Sequence, residues 1–262
     1  MKYIKLFEAN LIETTNFEYI SNLSGTTPVK LYIDKKTNKK YVVKFGAHEK
    51  HMFNEYLANK LYSKYGIKTP KAYIGVIDGR KSLITEYLEG SIPLDYAIDD
   101  AKILKNVNKG FLFDILFGNY DVFGEDTNIE NIRVMPNGDV YRVDLGGSLL
   151  YRAQGKEKER KYSDANHKTF SNIPVETDSL RDPLLTLHDV FINIKDTNLK
   201  KDIMDISKKY VVDGKVNVKK FLQDLHNIIF DDDIELDKED KKYLIKTIFN
   251  RALYLHNKFV NM

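Results

Sequence analysis

A hairpin signal near the middle of the chain constrains the fold most. Two apolar-rich runs, Ile132–Met135 and Val140–Val143, flank the turn formers Pro136–Asp139, which contain an Asn-Gly pair. An Asn-Gly pair between such runs is typical of a two-stranded β-hairpin. Asn131 opens the first run and Asp144 closes the second. Because a hairpin brings its open ends together, we expect these two oxygen-bearing side chains to be neighbours.

The rest of the pattern divides the chain into a sheet-rich first third and a helical remainder. Alternating or apolar runs predict strands and one helix, followed by further helices. The predicted strands are Phe17–Ser21, Val29–Ile33, Tyr41–Phe45, Ala72–Ile77 and Ser82–Tyr87, with a helix over Glu49–Tyr65. The later helices are predicted at Lys102–Phe117, Leu184–Ile194, Lys200–Tyr210, Val218–Phe230 and Lys238–Asn261. We therefore expect a bilobal α+β fold, with an N-lobe over residues 1–88 and a mainly helical C-lobe over residues 89–262.

Composition excludes several classes of protein. The 262 residues include 41 basic and 38 acidic side chains, a balance that gives no support for a nucleic-acid or membrane-surface binder. The chain has no cysteine, which excludes a disulfide framework and a thiolate zinc site. No apolar run approaches the ~20 residues that span a bilayer, and no signal peptide is evident. We expect a cytoplasmic protein, although export as an effector would leave no trace here.

Two features of the first third suit a phosphate site. Lys44 lies in an apolar strand, and Glu55 on the following helix can supply its partner. A lysine facing solvent is the ordinary alternative. The segment Gly25–Thr27 lies between the first two strands, where a glycine lets the backbone approach phosphate and hydroxyls add hydrogen bonds. Taken alone, this segment is better explained as an ordinary glycine-containing turn.

The strongest signal combines three polar side chains. Asp121 follows the end of a predicted helix, and Asn131 and Asp144 lie at the open ends of the hairpin. Asp and Asn oxygens are ligands that Mg²⁺ prefers, and a nearby carboxylate can accept a proton from an attacking hydroxyl. Asn128 is an alternative metal ligand. The competing interpretation makes Asp121 a helix-end cap and Asp144 part of a turn.

At these residues the chain resembles the atypical branch of the protein-kinase-like fold, which includes actin-fragmin kinase, HipA-type bacterial kinases and phosphoinositide kinases. The shared order is a strand lysine, a helix glutamate, Gly-Asn-x-Asp, an asparagine and Asp-x-Gly. The resemblance implies that ATP and Mg²⁺ are bound and that Lys44 contacts phosphates while Glu55 positions it. It implies further that Asp121 is catalytic and that Asn131 and Asp144 bind the metal. The adenine would meet the hinge backbone of Glu86, Tyr87 and Leu88.

These observations predict transfer of the γ-phosphoryl group of ATP to Ser or Thr hydroxyls on a protein. Two alternatives are a small-molecule kinase, acting on an aminoglycoside, sugar or lipid headgroup, and a pseudokinase that binds nucleotide and acts on a partner. Two weaker patterns receive ordinary interpretations. The pair His48 and His51 is predicted to lie on a solvated helix face, and the acidic stretch Asp231–Asp240 is predicted to be a linker that places negative charge before the last helix.

Overall fold

A five-stranded antiparallel sheet forms the first part of the molecule. The computed structural model describes residues 12–23, 28–119, 121–122, 129–158, 196–212 and 215–260. The sheet contains β1 (Phe17–Leu23), β2 (Val29–Asp34), β3 (Lys39–Lys44), β4 (Ala72–Ile77) and β5 (Arg80–Glu86), in the order β1-β2-β3-β5-β4. All five predicted strands are therefore confirmed, with ends that shift by up to two residues.

The two faces of this sheet differ as the alternation in β3 predicts. Tyr41, Val43 and Phe45 are buried in a small apolar cluster on one face. Because successive side chains of a strand point to opposite faces, Val42 and Lys44 lie on the other. That second face is the one turned toward the rest of the chain.

The helix α1 (Glu49–Lys64) packs against this second face. His48 caps its first turn, since the imidazole accepts a hydrogen bond from the backbone N–H of His51. The helix ends before Gly66, whose positive φ of 83° follows the pattern of a helix C-terminus. Both polar and apolar side chains of α1 are buried, so the helix is enclosed on most sides.

The predicted hairpin is present as two strands of a second, three-stranded sheet. The strands β6 (Ile92–Pro93), β7 (Ile132–Val134) and β8 (Val140–Arg142) pair in that order. In the turn, the N–H of Gly138 donates to the Met135 carbonyl, and Gly138 adopts a positive φ of 82°. Gly138, the glycine of the Asn-Gly pair, therefore supplies the left-handed backbone conformation of the turn.

Helices complete the remainder. They are α2 (Ala101–Phe117), α3 (Asp196–Lys208), α4 (Val218–Ile229) and α5 (Lys238–Val260), with a short hairpin of β9 (Val211–Val212) and β10 (Lys215–Val216). Side chains of α1, α2, the second sheet and α5 share one hydrophobic core. Among the described residues, no helix has the length and apolar character needed to cross a membrane.

Some predictions fall on residues that the structure does not describe. These are the segment Gly25–Thr27, Asn128 and the helix predicted at Leu184–Ile194. The boundary between residues 88 and 89 also stays a prediction.

Candidate functional site

Lys44 is the centre of a charged cluster between the two sheets. Its Nζ lies 2.7 Å from Glu55 Oε1 and 2.7 Å from Asp144 Oδ1. Lys44 is 9% exposed and Glu55 is 6% exposed, whereas half of the Asp144 side chain is exposed. The ammonium group therefore joins the five-stranded sheet to α1 on one side and to Asp144, just after β8, on the other.

The charges in this cluster shift one another's pKa values. Burial alone would lower the pKa of Lys44, but Asp144 and Glu55 outweigh it, so the pKa lies above its ordinary value and the lysine stays cationic. Burial and the Asp144 charge raise the pKa of Glu55 despite Lys44. Burial would also raise the pKa of Asp144, yet Lys44 holds it below its ordinary value. The pKa values of the two carboxylates are therefore shifted in opposite directions by the same cluster.

The backbone of Asp144 is itself unusual. Its φ of 50° and ψ of 60° place it in the left-handed region, which a residue with a side chain rarely adopts. Such a conformation costs on the order of 1–3 kcal/mol and persists only where the surroundings enforce it. Here the enforcing contacts are the ion pair with Lys44 and the packing of the next few residues against α1.

That packing is made by two polar side chains of α1. Asn54 Nδ2 donates to the Ser148 carbonyl at 2.9 Å, and its Oδ1 accepts from the N–H of Leu150 at 3.0 Å. His51 Nε2 lies 3.3 Å from the carbonyl of Gly146. Contrary to the prediction of a solvated face, His51 is buried, because the chain after β8 folds back over α1.

Asn131 and Asp121 are in contact on the other side of the segment that follows Asp144. Asn131 Nδ2 donates to the backbone carbonyl of Asp121 at 2.6 Å. A Cβ placed on Gly147 would lie 2.6 Å from Asp121 Cβ, so only glycine lets the Asp121 side chain come this close. The residues after Asp144 therefore lie between the Lys44 cluster and the Asn131–Asp121 contact, which joins the two into one site.

A buried ion pair fixes the hairpin in place. Arg142, at the end of β8, is 1% exposed, and its Nη2 lies 2.7 Å from Asp114 Oδ2 on α2. The same nitrogen donates to the Val107 carbonyl at 2.9 Å, while Tyr62 of α1 donates to Asp114 Oδ1 at 2.8 Å. The guanidinium lies directly against Gly110, where a Cβ would approach it to 2.4 Å. This network locks β8, and with it Asp144, onto two helices.

Lys158 is a residue of the site that sequence reasoning missed. Its Nζ donates to the carbonyls of Gly118 and Gly147 at 2.6 and 2.7 Å. Gly118 lies just before Asp121, and Gly147 is the residue against which Asp121 packs. One ammonium group therefore connects both sides of Asp121. The sequence carried no signal for it, since Lys158 lies in a stretch rich in lysine and arginine.

The predicted hinge follows β5 directly. Glu86 pairs with Tyr41 across the sheet, and the N–H of Tyr87 donates to the Lys40 carbonyl at 3.0 Å. Within the described residues the N–H of Leu88 makes no backbone hydrogen bond. The hinge thus offers a donor at the edge of the face that carries Lys44.

The oxygen donors suit a hard divalent cation. Asp144 uses Oδ1 for Lys44, and within the described residues its Oδ2 makes no hydrogen bond. Asn131 uses its amide nitrogen for the Asp121 carbonyl, which leaves its Oδ1 as an acceptor. Mg²⁺ is commonly held by one or two such protein oxygens, with water and phosphate oxygens completing its shell. The residues present therefore fit the predicted metal.

Comparison with known proteins identifies the architecture. A solved structure of a Helicobacter pylori proinflammatory kinase, CtkA, matches with a TM-score of 0.60 and 15% sequence identity. The match covers 96% of this chain and 99% of that one. The chain has a kinase-like fold. The predicted bilobal α+β class is thereby confirmed, while the proposed branch within that fold stays a prediction. No protein-family model matches the chain, and no curated protein sequence does.

Proposed function

We propose that this chain is a kinase that uses ATP and Mg²⁺ and transfers the γ-phosphoryl group to Ser or Thr hydroxyls of a protein. The observation that carries the proposal is Lys44 held between Glu55 and Asp144, each at 2.7 Å. Phosphoryl transfer depends mainly on positioned charge, which a buried cation and an ionised carboxylate on opposite lobes supply. The likeness to a kinase structure supports the same reaction class.

Each residue has a role that its contacts suit. Lys44 holds phosphate oxygens, and Glu55 fixes the direction of the ammonium group. Asp144 and Asn131 would hold Mg²⁺, which when bound offsets negative charge on the phosphates. The backbone of Glu86–Leu88 receives the adenine ring. Among the residues that the structure describes, the N–H of Leu88 has no backbone hydrogen-bond partner, which supports that assignment. Gly25, Thr26 and Thr27 are proposed as phosphate contacts from the connection between β1 and β2.

Asp121 is proposed to act on the acceptor. Its carboxylate takes the proton of the attacking hydroxyl as the new oxygen–phosphorus bond forms. The bond between the γ-phosphorus and the bridging oxygen then breaks, and its electron pair leaves with ADP. Asn131 and Gly147 keep Asp121 beside the metal-binding carboxylate, because one donates to its backbone and the other gives its side chain room.

The test is transfer of label from γ-labelled ATP by purified protein with Mg²⁺. Asp144→Asn keeps the shape of the side chain and removes its charge, so we expect turnover to fall by at least about 10³-fold. Asp139→Asn makes the same change at a partly exposed position of the same hairpin, where the carboxylate pairs with Lys68, and serves as the control. Wild-type turnover in Asp144→Asn would overturn the assignment of the site.

The acceptor is decided by where the label appears. The protein is incubated with a bacterial lysate, a panel of purified proteins and a panel of aminoglycosides, sugars and lipid headgroups. Label on serine or threonine supports the proposal. Label confined to a small molecule would replace it with a small-molecule kinase, and tight binding of ATP without transfer would replace it with a nucleotide-dependent binding protein.

A further inference from the structure

The acidic segment between α4 and α5 lies against α1 and does not run through solvent as a linker. This segment, residues 231–237, is called the acidic segment below. Its two apolar residues anchor it, because Ile234 is 2% exposed and Leu236 is 8% exposed within the main core. Burial of these side chains fixes its backbone, so its carboxylates are held at defined positions along α1.

The closest contacts are made by Asp231 and Asp233. The hydroxyl of Tyr56 donates to Asp233 Oδ2 at 2.7 Å. Lys60 Nζ lies 2.8 Å from Asp231 Oδ2 and 2.9 Å from Asp233 Oδ1. The Asp233 side chain is only 8% exposed, so this carboxylate is a buried charge that depends on its two partners from α1.

Exposed ion pairs extend the contact at the start of α1. Lys50 pairs with Asp237. Lys81 of β5 lies 2.8 Å from Glu49 and also pairs with Glu235. Exposed pairs of this kind contribute little one by one. Together they place the acidic segment across the first turn of α1 and one strand of the five-stranded sheet.

The position of these contacts around α1 matters for the site. With 3.6 residues per turn, each step along a helix rotates the side chain by about 100°. Relative to Glu55, Asn54 lies on one side and Tyr56 on the other, with Lys60 on the same side as Tyr56. The segment after Asp144 therefore holds one flank of α1, the acidic segment holds the opposite flank, and Glu55 points between them at Lys44.

We propose that the acidic segment is a built-in clamp that keeps α1 where Glu55 reaches Lys44, so that the chain assembles its own site without an activating partner. The inference rests on the proposed function for its consequence in catalysis. The clamp concerns only the position of α1, which is measured separately from phosphoryl transfer. Tyr56, Lys60 and Asp233 are in this view positioning residues.

The test reverses charges in pairs. Lys60→Glu places a carboxylate opposite Asp231 and Asp233, and the double variant Lys60→Glu with Asp233→Lys restores an opposite pair. Lys64→Glu makes the same charge change one turn later on the exposed face of α1 and is the matched control. Hydrogen exchange of the α1 amides reports the clamp, and kcat with the KM for ATP reports its consequence.

We expect Lys60→Glu to speed exchange in α1 and to lower kcat, each by about tenfold, because only molecules with α1 in place are competent. The double variant restores both to within about threefold, and Lys64→Glu changes neither by more than about twofold. If the α1 amides of Lys60→Glu exchange at the wild-type rate, the clamp is overturned. Faster exchange with unchanged kcat overturns its link to Glu55.

Two further measurements cover the cases in which Lys60→Glu does not fold or the wild-type protein transfers no phosphate. If Lys60→Glu does not fold, Tyr56→Phe removes the hydroxyl that donates to Asp233 and keeps the buried ring. Faster α1 exchange in that variant supports the clamp, and wild-type exchange overturns it. If the wild-type protein transfers no phosphate to any acceptor, the proposed function fails, whereas the exchange measurements still decide whether the acidic segment holds α1.

Discussion

Replacing Gly147 by alanine tests the placement of Asp121 most directly. A Cβ at this position would lie 2.6 Å from Asp121 Cβ. Carbon atoms in contact prefer about 3.5–4.0 Å, so Asp121 or the segment after Asp144 must move by about 1 Å. A displacement of that size at a catalytic group can lower the rate by about 10²-fold, which corresponds to about 2.7 kcal/mol in the activation barrier.

The assay compares kcat and KM for ATP in the wild type, Gly147→Ala and Gly79→Ala. Gly79 lies in the turn between β4 and β5, where a Cβ would meet nothing within 4 Å but the positive φ of 74° strains alanine. The control is expected to lose about 1–2 kcal/mol of stability and to keep its kcat. If folded Gly147→Ala turns over within threefold of the wild type, the reasoning that places Asp121 against this glycine is refuted.

Three further predictions concern the surroundings of the site. Lys158→Met is expected to lower kcat by about 10- to 100-fold with little change in the KM for ATP, because the carbonyls of Gly118 and Gly147 lose their common donor. Exposed Lys156→Met is expected to have no effect. Asp114→Ala leaves Arg142 as an uncompensated buried charge and is expected to cost about 3–5 kcal/mol in urea unfolding. Burial lowers the pKa of His51 below its ordinary value of 6.5, so the fold favours the neutral ring. The contribution of the neutral ring to stability is complete above pH 6.5 and is lost as the pH falls through the lower pKa of the folded state. The free energy of unfolding should therefore fall more steeply with acid in the wild type than in His51→Gln.

Each of these has an outcome that contradicts it. Equal loss of kcat in the Lys156 and Lys158 variants would show a general effect of charge. Unchanged urea midpoints in Asp114→Ala would mean that Arg142 finds another partner or solvent. Parallel stability profiles for the wild type and His51→Gln would show that the pKa of this imidazole is the same in the folded and unfolded states.

Local patterns predicted most of the elements near the site. Alternation in Tyr41–Phe45 identified β3 and set Lys44 on the face opposite Val43, and the structure has both features. The Asn-Gly pair predicted the hairpin, because few backbone conformations are open to its turn residues. Such features depend on residues close in the chain, so a single sequence contains them.

The predictions that failed concern contacts between distant residues. His51 was expected on a solvated face and is buried, and the acidic stretch was expected to be a linker and packs on α1. Neither error lies in the helices themselves, which the periodicity located. The errors arise because burial of a helix face depends on which other segment covers it.

The sequence by itself determined the five strands of the first sheet, the helix α1, the face on which Lys44 lies and the neighbouring ends of the hairpin, since these follow from periods of two or 3.6 residues and from turn chemistry. Only the tertiary structure decided that Arg142 pairs with Asp114, that Lys158 joins two carbonyls around Asp121 and that the acidic segment holds α1. These contacts join residues 28, 40 and 173 positions apart. Their partners are selected by the packing of the whole chain, which no local pattern specifies.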